Sequence, residues 1–199
     1  MECIYMWNMN PTETKVPNKL LMQENAKIFP IYKIVGPSDI LPLVQQFSNE
    51  LYDMWLTIPH WVIKADLGRL LYIYYNGGMY CDCDCLIRKT ITSNAPIVLF
   101  TECIVNVNQL GPLECKHPDN KVRVANYAFI AKKGHPFLKN VITECIRRLH
   151  LLPSKLTHAD ILWVCGPDVI TTVYHLQKTP DIELLNQSYL THYRCGSWR

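Results

Sequence analysis

The sequence predicts an α/β domain, and three observations carry that expectation. Segments of strand and helix character alternate along the first half of the chain. The 199 residues suit one compact domain, 1–199, large enough to bury a core. In the middle, Tyr74-Tyr75-Asn76-Gly77-Gly78-Met79-Tyr80-Cys81-Asp82-Cys83-Asp84-Cys85 has the pattern of a helix stopped by a glycine pair, followed by a strand that ends in two acids. The rest of the chain is organised around that stretch.

Taken in order, residues 2–7 form a first strand that runs into the loop Asn8-Met9-Asn10-Pro11. Trp7 therefore stands at the carboxyl end of a strand, where α/β domains bind ligands; it either stacks on a bound base or joins the core. Residues 17–27 form a helix with Leu20, Leu21 and Ala26 inward, and residues 28–35 a second strand before Gly36-Pro37. Residues 38–55 are helical with an interruption at Pro42. Pro59 suits a helix start, and residues 60–75 follow with Trp61, Ala65, Leu70 and Leu71 among the apolar positions. Asp66 and Arg69 share a face of that helix, either as a surface ion pair or as part of a binding site. Gly68 inside the helix costs about 1 kcal/mol relative to alanine and calls for a packing reason.

Residues 79–83 follow as a central strand, and residues 96–101 as another. Residues 102–120 make an irregular, polar connection of a length that tends to carry function. Cys103, Cys115, Lys116 and His117 lie there without the second pair that a metal knuckle needs. Residues 126–131 form a strand, and a helix runs from His135-Pro136 to His150. A last helix starts on Pro167 in Cys165-Gly166-Pro167-Asp168 and runs to about His175; no catalytic role falls to Asp168.

Side chains alternate along an extended strand, so Asp82 and Asp84 share one face while Cys81, Cys83 and Cys85 share the other. Two carboxylates at a strand end make a hard-oxygen site suited to Mg²⁺ or Mn²⁺ together with phosphate oxygens; the alternative is a pair of solvated turn residues. Cysteines alternating along a strand lack the loop spacing of a structural zinc site, so zinc is not expected.

Composition narrows the partners. Apolar residues make up 49% of the chain and charged residues 19%, which argues against disorder. Lys and Arg exceed Asp and Glu by 20 to 17, and the basic pairs Lys132-Lys133 and Arg147-Arg148 form no stripe. A nucleotide fits this balance better than a nucleic acid, and no nucleic-acid partner is expected. Nine cysteines, the absence of a signal peptide ahead of Met1-Glu2-Cys3, and the lack of a long apolar run favour free thiols in the cytoplasm and no membrane span.

The run Ile63-Lys64-Ala65-Asp66-Leu67-Gly68-Arg69-Leu70-Leu71-Tyr72-Ile73-Tyr74-Tyr75, with Gly77-Gly78-Met79-Tyr80 and the two acids after it, resembles the signature of glycosyltransferase family 32. The donor-binding core of that family is similar to that of the large clostridial glucosylating toxins. Asn126-Tyr127-Ala128-Phe129-Ile130-Ala131 resembles its second block, Cys165-Gly166-Pro167-Asp168 its Gly-Pro block, and His192 with Gly196-Ser197-Trp198 its terminus. Gly68 departs from the pattern, since the family usually has a bulkier residue there.

The resemblance implies a GT-A type, Rossmann-like domain with a mostly parallel mixed sheet flanked by helices, binding a nucleotide-sugar at the carboxyl edge of its strands. It implies metal-dependent transfer of a sugar, with retention, to a hydroxyl of a glycan, protein or lipid acceptor. A UDP-sugar is the expected donor ahead of GDP-mannose, and Mn²⁺ or Mg²⁺ the expected ion. By resemblance, Asp82 and Asp84 hold the metal with His192 or Ser197 completing its shell, Trp7 packs on the base, and Asp66 accepts bonds from sugar or ribose hydroxyls. Arg69 would hold the donor, Asn126 would touch its sugar, and the Trp198 indole would bond a diphosphate oxygen, in a tail that orders when donor binds. Eukaryotic members usually sit in the Golgi behind a membrane anchor, a location that applies only if an anchor has been removed from this chain. The rival function is a module that binds nucleotide-sugar and metal without transfer. A hydrolase fits poorly, because adjacent acids on one face stand too close to flank a glycosidic bond.

Overall fold

The computed structural model describes residues 1–12, 17–105, 121–177 and 179–194. Its centre is a six-stranded sheet in the order β2-β1-β3-β6-β5-β7. The strands are β1 (Cys3–Met6), β2 (Tyr32–Val35), β3 (Gly78–Cys81), β5 (Ile97–Ile104), β6 (Val122–Ala131) and β7 (Ile182–Leu185). β1 runs parallel to β2 and β3, and β5 parallel to β7; β6 is antiparallel to both of its neighbours, β3 and β5. Five strands thus point one way, as expected of a mostly parallel mixed sheet. A second, two-stranded sheet pairs β4 (Cys85–Ile87) with β8 (Leu190–His192).

Alternation along the strands sorts the core into two layers. Ile4, Met6, Tyr80, Ile97, Leu99 and Phe129 face the helices α2 (Pro37–Phe47), α3 (Asn49–Thr57), α4 (Trp61–Asn76), α5 (Pro136–Leu149), α6 (His158–Val164) and α7 (Pro167–Leu176). Cys3, Tyr5, Met79, Cys81, Val98 and Phe100 face the other way, toward α1 (Lys19–Asn25) and the small sheet. The chain leaves β1 for β2 on one side and later returns to β3 on the other, so the strand order reverses between β1 and β3. Their carboxyl ends lie side by side at that switch point, the place where α/β domains bind ligands.

Helix α4 explains the central stretch. His60 caps its start by accepting from the Val62 N–H at 3.3 Å, and Pro59 lies just outside. Gly77 and Gly78 end it with φ of 72° and 110°; a Cβ on Gly78 would stand 2.9 Å from the Glu2 carbonyl oxygen. Gly68 has its packing reason as well. A Cβ there would meet Met6 Cε at 3.2 Å and Ile40 Cγ2 at 3.3 Å, so its absence lets α4 lie close to β1 and α2.

Several boundaries differ from expectation. The helical region 38–55 breaks at Ser48 rather than Pro42, because the Ser48 hydroxyl accepts from the Leu51 N–H and starts α3. Leu20 is exposed, and the inward positions of α1 are Met22 and Asn25. Asn126 lies inside β6, which extends upstream to Val122 because its first residues pair with β5 as far as Ile104. The central strand ends at Cys81. Beyond it the Asp82 N–H bonds the Tyr127 carbonyl, and the Cys85 N–H closes back on the Asp82 carbonyl at 3.0 Å. A turn, not strand alternation, brings Asp82 and Asp84 together, although the three cysteines are all buried. Helix α6 and strands β7 and β8 add to the elements that the sequence pattern predicts. The connection at 106–120, with Cys115, Lys116 and His117, lies outside the described residues.

Candidate active site at the switch point

Two clusters meet at the carboxyl ends of β1 and β3. The first is buried. Arg69 Nη2 lies 2.8 Å from Asp66 Oδ1, and Nη1 lies 3.2 Å from Asp82 Oδ1 and donates to the Asn126 carbonyl at 3.0 Å. The guanidinium carbon sits 4.7 Å from the Tyr80 ring centroid. The Tyr80 hydroxyl donates to Asp82 Oδ1 at 2.5 Å, and the Asn126 amide donates to Asp66 Oδ1 at 3.2 Å. Asp66 and Arg69 are thus no surface ion pair; Asp66 is 5% exposed and Arg69 8%.

Burial sets the electrostatics here. It pushes the Asp66 carboxyl up to about 7, against the opposing pull of Arg69 and with a further push from Asp82. It raises Asp82 too, opposed by Arg69 and by the Tyr80 hydrogen bond. Burial disfavours the Arg69 charge, but Asp82, Tyr80 and Asp66 outweigh that and hold it more firmly protonated than usual. Tyr80 is raised by burial and stays neutral.

The second cluster comes from the small sheet. Asp82, Asp84 and His192 each offer one ligand atom, and these atoms lie within 4.8 Å of one another. His192 Nε2 stands 3.2 Å from Asp84 Oδ1 and 3.9 Å from Asp82 Oδ2. The β4–β8 register sets His192 opposite Cys85, next to the turn, and its ring stacks on Tyr127 at 4.1 Å. The Tyr193 N–H bonds the Asp84 carbonyl at 2.9 Å and holds the strand after His192 to the same turn.

Trp7 stands at the same edge, half-buried against the layer below the sheet, with its backbone N–H on the Val35 carbonyl at 2.9 Å. Asn8 after it takes a φ of 59°, an uncommon left-handed conformation for a non-glycine residue at the switch point. The structure therefore brings together Asp66, Arg69, Asp82, Asp84, Asn126 and His192, with Trp7 at the end of the neighbouring strand β1. Ser197 and Trp198 lie outside the described residues. Asp168 is spent on Arg123 at 2.9 Å, and Arg123 in turn reaches Glu102 at 2.9 Å.

Sequence reasoning missed Tyr80 and Tyr127 as members of the site. Tyr80 stands in the Gly-Gly-x-Tyr signature and two residues before Asp82, which is a usable signal. Tyr127 has none, since its partner His192 is distant in the chain.

Comparison with known proteins gives the class that the sequence resemblance implies. The structure of the PaToxG glycosyltransferase superposes with a TM-score of 0.60 at 16% identity, covering 88% of this chain and 68% of that one, so the fold is shared. A second solved structure, described as a transferase mutant with two cysteines replaced by serine, aligns at 12% identity over 96% of this chain and 93% of that one, with a TM-score of 0.46. No curated protein sequence matches. The profile of the glycosyltransferase sugar-binding region containing the DXD motif matches residues 3–111, and the chain belongs to that family. The motif of the family's description is Asp82-Cys83-Asp84.

Proposed function

We propose that this chain, as a single domain, transfers a sugar from a UDP-sugar to a hydroxyl acceptor with retention of anomeric configuration, using a divalent ion held by Asp82, Asp84 and His192. The observation that carries this reading is the convergence of those three side chains beyond the carboxyl end of β3, beside the buried Arg69. Two carboxylate oxygens and one imidazole nitrogen suit Mn²⁺ better than Mg²⁺, which keeps to oxygen ligands. His192 turns Nε2 toward the acids, and its Nδ1 is buried without a hydrogen-bond partner among the described residues. When bound, the ion supplies positive charge to the departing diphosphate.

The chain's own residues do the rest. Arg69 fixes Asp82 through Nη1 and lends a permanent charge beside the place where diphosphate charge gathers. Tyr80 holds the same carboxylate oxygen from the other side. Asp66 and Asn126, bonded to each other, offer an acceptor and a donor to hydroxyls of the sugar or ribose. Trp7 supplies an aromatic face for the base at the end of β1. Ser197 and Trp198 add a hydroxyl to the metal shell and an indole N–H to the diphosphate. Retention follows a same-face substitution in which the leaving diphosphate assists the incoming hydroxyl. Acceptors are a glycan, protein or lipid hydroxyl.

Free cysteines at seven described positions support a reducing, cytoplasmic setting. No helix among the described residues is long and apolar enough to cross a membrane.

The test is a nucleotide-release assay over a panel of UDP- and GDP-sugars with Mn²⁺, run beside Asp84→Ala and a metal-free control. One UDP-sugar is expected to be turned over, with activity falling by about 10²–10³ in Asp84→Ala and vanishing without metal. The anomeric form of the transferred sugar, read by NMR, is expected to match the donor; an inverted product sinks the same-face step. Silence across the panel in a folded protein that still binds UDP and Mn²⁺ favours the binding module or an absolute requirement for acceptor.

A further inference from the structure

The small β4–β8 sheet has one side that no strand among the described residues covers, and a side chain fills it. Asn25, the last residue of α1, is fully buried. Its Nδ2 donates to the Cys85 carbonyl at 2.9 Å and to the Tyr5 hydroxyl at 3.1 Å, and its Oδ1 accepts from the Ile87 N–H at 2.8 Å. Nδ2 also lies 3.9 Å from Cys81 Sγ, at the end of β3. Engaging the carbonyl of one residue and the N–H two residues further on is what a residue of a neighbouring parallel strand does through its own N–H and C=O. The Asn25 carboxamide therefore stands in for a third strand beside β4.

What β4 carries makes this contact functional. Asp84 immediately precedes Cys85, whose carbonyl Asn25 holds, and the opposite edge of β4 pairs Cys85 with His192. The Asp82 side chain is held by Arg69 and Tyr80 and its N–H by the Tyr127 carbonyl, while its carbonyl takes the Cys85 N–H across the turn. The distance between the Asp84–His192 pair and Asp82 thus depends on how β4 is fastened to the end of β3, and Asn25 is a fastening that reaches both.

We propose that Asn25 is a positioning residue for the divalent-cation site, setting Asp84 and His192 against Asp82 without touching the ion or any substrate. This rests on the reading of those three residues as the cation site. The test titrates Mn²⁺ alone into the whole chain, followed by water-proton relaxation, for wild type, Asn25→Ala, Tyr5→Phe and Val44→Ala. Val44 is a buried core residue on the helix-covered face of the sheet, and its truncation reports what lost stability alone does.

Asn25→Ala is expected to weaken Mn²⁺ binding by about 10-fold or more, the usual cost of losing an outer-shell support. Tyr5→Phe, which removes one bond from the amide, is expected to weaken it less but in the same direction, and Val44→Ala to leave it unchanged. Wild-type affinity in Asn25→Ala, or an equal loss in Val44→Ala, overturns the role of Asn25 and leaves the cation site standing. A wild-type chain that binds no Mn²⁺ overturns both. Should Asn25→Ala fail to fold, Tyr5→Phe decides, and unchanged affinity there overturns the proposal.

Discussion

Asp66 and Arg69 lie on a 16-residue helix that is buried along most of its length, and they face β3 and β6 in the middle of the main sheet. Asp84 and His192 depend instead on two three-residue strands that reach the body through the chain around the turn, the Tyr127–His192 stack and the Asn25 amide. Asp82 is the hinge between the two, held by Arg69 on one side and 3.9 Å from His192 on the other. The contrast separates two tasks. The helix-borne pair is part of the core and cannot be altered without cost to folding, whereas Asp84 and His192 are part-exposed attachments to a small sheet whose Cys85, Ile87 and Leu190 are buried, and their placement matters to the ligand more than to stability.

The largest expected effect falls on the helix-borne half. Arg69→Met leaves Asp66 and Asp82 buried without their counter-charge and is expected to destabilise by about 3–5 kcal/mol, measured by denaturant unfolding. The next effect depends on pH. Asp66 titrates at about 7 in the folded chain against an ordinary value of 3.8, so the folded state holds a proton that the unfolded state releases. With the folded value the higher, the stabilising contribution is complete below about 3.8 and is lost as the pH rises toward 7. The stability of wild type relative to Asp66→Asn is therefore expected to fall across that window by about 2–4 kcal/mol. A difference that stays flat with pH contradicts the burial argument. Smallest is His192→Ala, which loses a partly exposed ring stacked on Tyr127 and is expected to cost about 1 kcal/mol or less in stability. If His192→Ala proved the more destabilising and Arg69→Met the milder, the division between core and attachment would be wrong.

The same division governs what the sequence makes legible. The helix-borne half is readable because its signals are local: an Asp and an Arg three apart on one helix face, a glycine pair, then Tyr80 and the acids in sequence. Gly68 stands out as a helix glycine, yet its reason, the closeness of Met6 and Ile40, exists only in three dimensions. The second half rests on long-range pairing. Arg88 and Thr191, bonded at 2.9 Å, are 103 residues apart, and no periodicity announces that β4 and β8 meet. Resemblance alone points to His192. Asn25 is invisible for a further reason, since it sits at a helix end where a polar residue is ordinary and its work is done by a side chain mimicking a strand. The turn at Asp82 reads as strand because buried and half-exposed residues alternate through it as they would in an extended chain, while the bond from the Cys85 N–H to the Asp82 carbonyl bends the backbone.

The central claim is that Asp82, Asp84 and His192 form one cation site, and pulsed electron paramagnetic resonance of bound Mn²⁺ tests it most directly. A directly coordinated imidazole nitrogen gives a resolved coupling to the Mn²⁺ electron spin. The coupling is expected in the wild-type chain, absent in His192→Ala, and retained in His175→Ala, whose ring is bonded to the Val122 carbonyl. Mn²⁺ bound without nitrogen coupling, or a coupling that survives in His192→Ala, would contradict the account.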